Sequence, residues 1–197
     1  KLDFRRIKEH FDVKNANFLG LIAKIGYLRS ILASRTHYGP FSWNMLWELC
    51  PEVCWRGSRG QKVKKTPVHI FSEKNRINVR TSKLTDENEL IKFKDLKPDL
   101  VIVVAYGQII PNSFLQISNL NFLNVHASLL PKWRGAAPIE RAILNGDKET
   151  GISIMKIENK LDAGPYVMQT KIKIDSETNS GELKEKLSLL GAQTLVN

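Results

Sequence analysis

Cysteine is scarce in this chain: only Cys50 and Cys54 occur in 197 residues. Two cysteines cannot build a disulfide framework, and a lone disulfide is unusual in a cytosolic chain. Their spacing, Cys-Pro-Glu-Val-Cys, resembles half a zinc site. No second Cys pair exists, however, and His37 and His69 do not form a His-x-x-x-His partner. No metal is expected. No apolar run is long enough to cross a membrane, no signal-peptide pattern opens the chain, and no internal repeat or low-complexity tract is visible. The first residue is Lys1, with no initiator Met, so the chain reads as a piece of a longer one.

Acidic residues are also in short supply, with 20 against 30 Lys/Arg, a net charge of +10. The shortage is local. Residues 1–65 hold 13 Lys/Arg against 5 Asp/Glu, whereas residues 66–197 hold 17 against 15. The basic third is either a nucleic-acid-facing surface or a sequence oddity confined to one segment, and charge alone leaves both readings open.

At 197 residues the chain can fill one well-buried α/β domain, or one domain with an appendage. Residues 1–57 show no sustained helical or strand period, and they hold three of the four tryptophans and both cysteines. From Arg56 the pattern becomes regular. Arg56–Pro67 reads as a basic loop and Pro67–Phe71 as a short strand. Thr85–Lys97 reads as a helix capped by Thr85 and stopped by Pro98. Asp99–Ala105 (Asp-Leu-Val-Ile-Val-Val-Ala) carries an unbroken, largely β-branched apolar run after its Asp, the mark of a strand buried on both faces. Strands are expected at Phe122–His126, Gly151–Ile157 and Tyr166–Ile174, the last half-exposed. Helices are expected at Ala137–Asn145, ended by Gly146, and at Ser180–Leu190, where Ser180 caps without a capping box. Alternating helices and apolar strands imply an open, mostly parallel α/β sheet, with ligands gathering beyond the carboxyl ends of its strands.

The residues suited to chemistry fall at those ends. Asn124 and His126 are two apart, so on an extended segment both side chains point to one face. Asp162 follows the next apolar run. An amide can donate to a developing oxyanion, an imidazole can donate or relay a proton at neutral pH, and a carboxylate can orient it or take the proton through water. Together the three make an acyl-transfer site that needs neither a metal nor a covalent nucleophile. Taken singly, each has a plain structural reading. A strand-end His is usually a satisfied structural residue, Asp before Ala-Gly is usually a turn residue, and Asn124 could simply bond a loop.

The wording of these segments resembles the folate-dependent formyltransferase family. The match lies in Asn124-Val125-His126-Ala127-Ser128-Leu129-Leu130-Pro131, the downstream Asp162 and Tyr106-Gly107-Gln108-Ile109-Ile110-Pro111, running from about Arg59 to about Ile174. The resemblance implies a Rossmann-like catalytic domain in which Asn124, His126 and Asp162 are the catalytic trio. It further implies that Ser128, Leu129, Leu130 and Pro131, with Tyr106, Gly107 and Gln108, form the folate site. The co-substrate would be 10-formyltetrahydrofolate. Trp133–Ile139 and Gly146–Gly151 are similar to the members that formylate methionyl-tRNA, which implies initiator methionyl-tRNA as acceptor. The basic loop then offers Arg59 and Lys62 as RNA contacts. A monomer with no membrane association is implied, in the cytoplasm of a bacterium or in an organelle matrix. Other members share much of the wording, so another acceptor (water or a sugar amine) stays open, as does an inactive RNA-binding fragment.

The opening departs from the family. Nothing in residues 1–55 matches its Met-Gly-Thr-Pro turn, so the first βαβ unit is expected to be atypical or missing and residues 56–197 to form an incomplete catalytic domain. The family's C-terminal tRNA-binding barrel is expected to be missing from residues 56–197 as well. A sheet lacking its first strands exposes an apolar edge, so weak stability and weak activity are expected.

Overall fold

The computed structural model describes residues 30–35, 42–48, 67–74, 76–98, 100–117 and 121–196. The chain divides into two compact units, Leu28–Asn121 and a second whose described residues begin at Phe122.

The first unit carries β1 (Ser30–Arg35), β2 (Ser42–Glu48), α1 (Pro67–Lys74), β3 (Asn78–Arg80), α2 (Glu87–Leu96), β4 (Leu100–Val104) and α3 (Asn112–Leu115). Its strands run in the order β3-β2-β1-β4. β2 and β3 are parallel, while β1 is antiparallel to both β2 and β4. β4 is buried at Leu100, Val101, Ile102 and Val103, as a β-branched run without polar alternation requires. The edge expected to lie bare is occupied, because Ser30–Ser34 of β1 pair with Leu100–Val104 of β4.

Two local expectations need correction. Pro67–Phe71 is helical, not extended: Pro67 opens α1, where proline's fixed φ and missing N–H cost nothing. α2 is capped by Asp86, not Thr85; its carboxylate accepts from the Asn88 N–H at 2.9 Å. Lys97, left-handed at φ 46°, ends α2 before Pro98. Glu89 on α2 is a buried carboxylate held by both the Nε and Nη2 of Arg80 and by Lys92. The edge-on contact of Phe93 with Phe114 joins α2 to α3, with ring centres 5.0 Å apart.

The second unit carries β5 (Asn121–His126), α4 (Pro138–Leu144), β6 (Glu149–Lys156), β7 (Tyr166–Lys173) and α5 (Ser180–Val196). β6 pairs with β5 on one side and β7 on the other, both antiparallel. The α/β class is as expected, but within each unit the parallel character is confined to β2–β3, the pair with α1 between its strands. The links 36–41 and 157–165 are too short for the crossover that a parallel pair needs.

α5 lies over one face of this sheet. It buries Leu183, Leu187 and Ala192, and Gly191 approaches Val125 and Ile152 closely. Side chains alternate along a strand, so Asn124, His126 and Ser153 face the other way. α5 starts at Ser180 as expected, but its cap is Asn179, through a reciprocal capping box. Asn179 Oδ1 accepts from Glu182 N–H at 3.0 Å, and Glu182 Oε2 accepts from Asn179 N–H at 3.4 Å.

Candidate active site

The structure brings Asn124, His126 and Asp162 together. Asn124 Nδ2 donates to Asp162 Oδ1 at 3.3 Å. His126 Nδ1 lies 3.7 Å from Asp162 Oδ2, an electrostatic contact that is too long for a hydrogen bond. The Gly135 N–H donates to the same Oδ2 at 2.9 Å. Asp162 reaches this point from a turn, with a left-handed φ of 45° that Asp adopts more readily than most residues. His126 is buried, at 6% exposure. Its Nε2 is 3.1 Å from the Trp133 carbonyl. A carbonyl only accepts, so Nε2 carries the hydrogen and Nδ1 is the nitrogen left to exchange a proton beside Asp162.

The loop after β5 supplies both backbone partners. Trp133, Gly135 and Ala137 are left-handed, at φ 57°, 83° and 56°. Two non-glycine residues in that region within one loop are unusual, and such strain concentrates at functional sites. Ser128 Oγ donates to the Lys132 carbonyl at 2.5 Å, tying the loop across its base.

The Ser128–Pro131 segment divides by burial. Ser128 and Leu130 are buried, whereas Leu129 is half-buried and Pro131 exposed. The first two therefore act by anchoring the backbone, and only the latter two offer side-chain surface. The anchor is Ser153, the cross-strand partner of both His126 and Gln169. Its hydroxyl accepts from Leu130 N–H at 3.0 Å and from Gln169 Nε2 at 2.8 Å, and donates to the Ser128 carbonyl at 2.6 Å. Gln169 Nε2 also donates to the Leu130 carbonyl at 3.0 Å.

Sequence reasoning missed Ser153 and Gln169, because their partnership exists only in strand register. Asp147, Trp133 and Gly135 stood within motif wording but were assigned no role. Asp147 accepts from Lys132 Nζ at 2.8 Å, Trp133 Nε1 at 2.7 Å and Asn145 Nδ2 at 2.7 Å. Burial alone would raise its carboxyl pKa, but those hydrogen bonds and the Lys132 charge carry it below the ordinary value. A cleft of about 290 Å³ lies beside this cluster, lined among others by Leu129, Trp133, Thr150 and Gln169.

In the first unit, Tyr106 is buried while Gly107 and Gln108 are exposed. Burial pushes the Tyr106 phenol up to about 12, so it stays a neutral donor at physiological pH. Gly107 turns at φ 71°, a conformation open to glycine. Arg59, Lys62 and the Cys50–Cys54 pair lie outside the described residues. Among the described residues, no group of three His, Cys, Asp or Glu could hold a metal ion, and no helix is long and apolar enough to cross a membrane.

An Asn–His–Asp cluster at the end of β5, joined to a strained loop, can donate to a developing oxyanion and relay a proton, as acyl transfer requires. The family described as Formyl transferase matches residues 44–197, and the chain belongs to that family. Over 143 residues it is 50% identical to the methionyl-tRNA formyltransferase of Pelagibacter ubique, covering 72% of this chain and 46% of that protein. Over 141 residues it is 47% identical to the methionyl-tRNA formyltransferase of a Wolbachia strain, covering 70% and 46%. The chain thus spans just under half the length of these relatives. The crystal structure of a phosphoribosylglycinamide formyltransferase from Bacillus halodurans shares the fold at a TM-score of 0.64 and 23% identity, over 93% of this chain and 88% of that one.

Proposed function

We propose that this chain carries the catalytic part of an enzyme that transfers a formyl group from 10-formyltetrahydrofolate to the amino group of initiator methionyl-tRNA. The observation that carries the reading is Asp162, which meets Asn124, His126 and the Gly135 N–H at once. In the reaction the acceptor amine adds to the formyl carbon, the tetrahedral oxyanion collapses, and the bond from that carbon to the folate nitrogen breaks. One proton leaves the amine and one reaches the folate nitrogen. Asn124 has two amide hydrogens; one is given to Asp162 and the other is available to the oxyanion. The His126–Asp162 pair manages the proton as a unit.

Leu129 and Pro131 are the side-chain surface proposed for folate, with Ser128 and Leu130 fixing the backbone, and Tyr106, Gly107 and Gln108 are further proposed folate-binding residues. Arg59 and Lys62 are proposed RNA contacts. Residues 56–197 are assigned to catalysis and residues 1–55 lie outside it, with a monomeric protein working in the cytoplasm or an organelle matrix.

An acceptor comparison tests this. Radiolabelled formyl transfer from 10-formyltetrahydrofolate should appear on methionyl-initiator-tRNA, not on the uncharged tRNA, and should exceed release of free formate. Formate release alone would assign a hydrolase instead, and binding that ignores folate while falling steeply with salt would indicate phosphate contacts only.

A further inference from the structure

Asp147 belongs neither to the trio nor to the folate segment, yet it fastens the loop that holds the trio. A Schellman turn ends α4: Gly146 N–H donates to the Ile143 carbonyl and Asp147 N–H to the Ala142 carbonyl, both at 3.0 Å, with Gly146 at φ 65°. The turn fixes the Asp147 backbone, and its side chain, 5% exposed, meets Lys132, Trp133 and Asn145. Lys132 and Trp133 lie where the loop meets the site. Trp133 presents its carbonyl to His126 Nε2, and two residues later Gly135 gives its N–H to Asp162. The indole N–H and the carbonyl of one residue thus link Asp147 to the imidazole.

We propose that Asp147 is a positioning residue for His126. By holding the Trp133 indole it fixes the carbonyl that keeps the hydrogen on Nε2 and the ring turned toward Asp162. The kinetic consequence rests on the formyl-transfer reading above; the geometric one does not. A charged acceptor matters here, because an amide in its place would set its own N–H₂ against one of the three donors.

The test pairs Asp147→Ala with Trp133→Phe, which keeps an aromatic ring and removes only the indole donor. Asp147→Glu serves as the conservative variant and Lys171→Met as a control in the neighbouring cleft. Imidazole ¹⁵N spectra should show His126 as the Nε2–H tautomer in the wild type and the control. In Asp147→Ala and Trp133→Phe they should show a mixture of tautomers, with partial recovery in Asp147→Glu. The turnover number should fall on the order of tenfold with KM changed less than about twofold, as expected when geometry near the chemistry slips. An unchanged His126 spectrum in Trp133→Phe overturns the proposal, and that variant decides the matter if Asp147→Ala does not fold. Failure of the wild-type chain to transfer formyl would overturn the transfer reading, while the spectra decide the positioning claim.

Discussion

Asp162 serves three partners with two oxygens; its role beside His126 was foreseen, whereas its bonds with Asn124 and the Gly135 N–H were not. Asn124 and His126 could be paired from sequence, because a strand repeats every two residues. Asp162 is 36 residues beyond His126, so its arrival depends on the link after β6 and on a left-handed turn. Its place after the next apolar run marked it as a candidate, and the resemblance singled it out where periodicity could not. Asp147 is the converse case: its motif was visible, but its role depends on a helix-ending turn that points it at Trp133. Its carboxyl pKa is held below the ordinary value. A group whose folded pKa lies below its unfolded one adds stability above the unfolded value and loses it as pH falls through the folded value. Asp147→Asn should therefore lower the melting temperature at neutral pH, and the gap to wild type should close in acid below about pH 4. Thermal unfolding across pH 2–8 reads this directly; a gap independent of pH would assign Asp147 no charge-linked role.

Elements were read well where a single period ran unbroken. β4 announces itself by Leu-Val-Ile-Val-Val, and β5, β6 and β7 lie within two residues of expectation. Misreadings fell where chemistry at an end decides. Pro67 begins a helix because its ring suits the first turn, so a short apolar run after it was mistaken for a strand. The α5 capping box was missed because the reading began at Ser180, although Asn179 and Glu182 have the required three-residue spacing. Strand pairing was the least legible property, because direction depends on link length and partner choice. β6 and β7 approach closely at Gly151. A Cβ on Gly151 would lie 2.1 Å from the Thr170 carbonyl oxygen and 2.6 Å from a methyl of Leu129. Gly151→Ala should destabilise the second unit by about 1–3 kcal/mol and weaken folate binding through Leu129. Urea unfolding and calorimetric titration with 5-formyltetrahydrofolate check the two effects; unchanged stability would mean that the strands part without cost.

For the whole molecule, the sequence pointed to a formyltransferase domain with an unfamiliar opening, and the family match over residues 44–197 agrees with the first part. The expectation of weak activity rested on a bare sheet edge. β1 occupies that edge of β4 by antiparallel pairing, so the physical reason for the expected weakness is removed. Charge could not have shown this, because strand pairing uses the backbone that every residue shares. In the proposed reaction Asp162 acts through Asn124 and His126. Single-turnover transfer from 10-formyltetrahydrofolate to methionyl-initiator-tRNA, comparing the wild-type chain with Asp162→Asn, tests it most directly. The expected result is a fall of about a hundredfold or more in the chemical step, with folate affinity retained. Equal rates in the two proteins would contradict it.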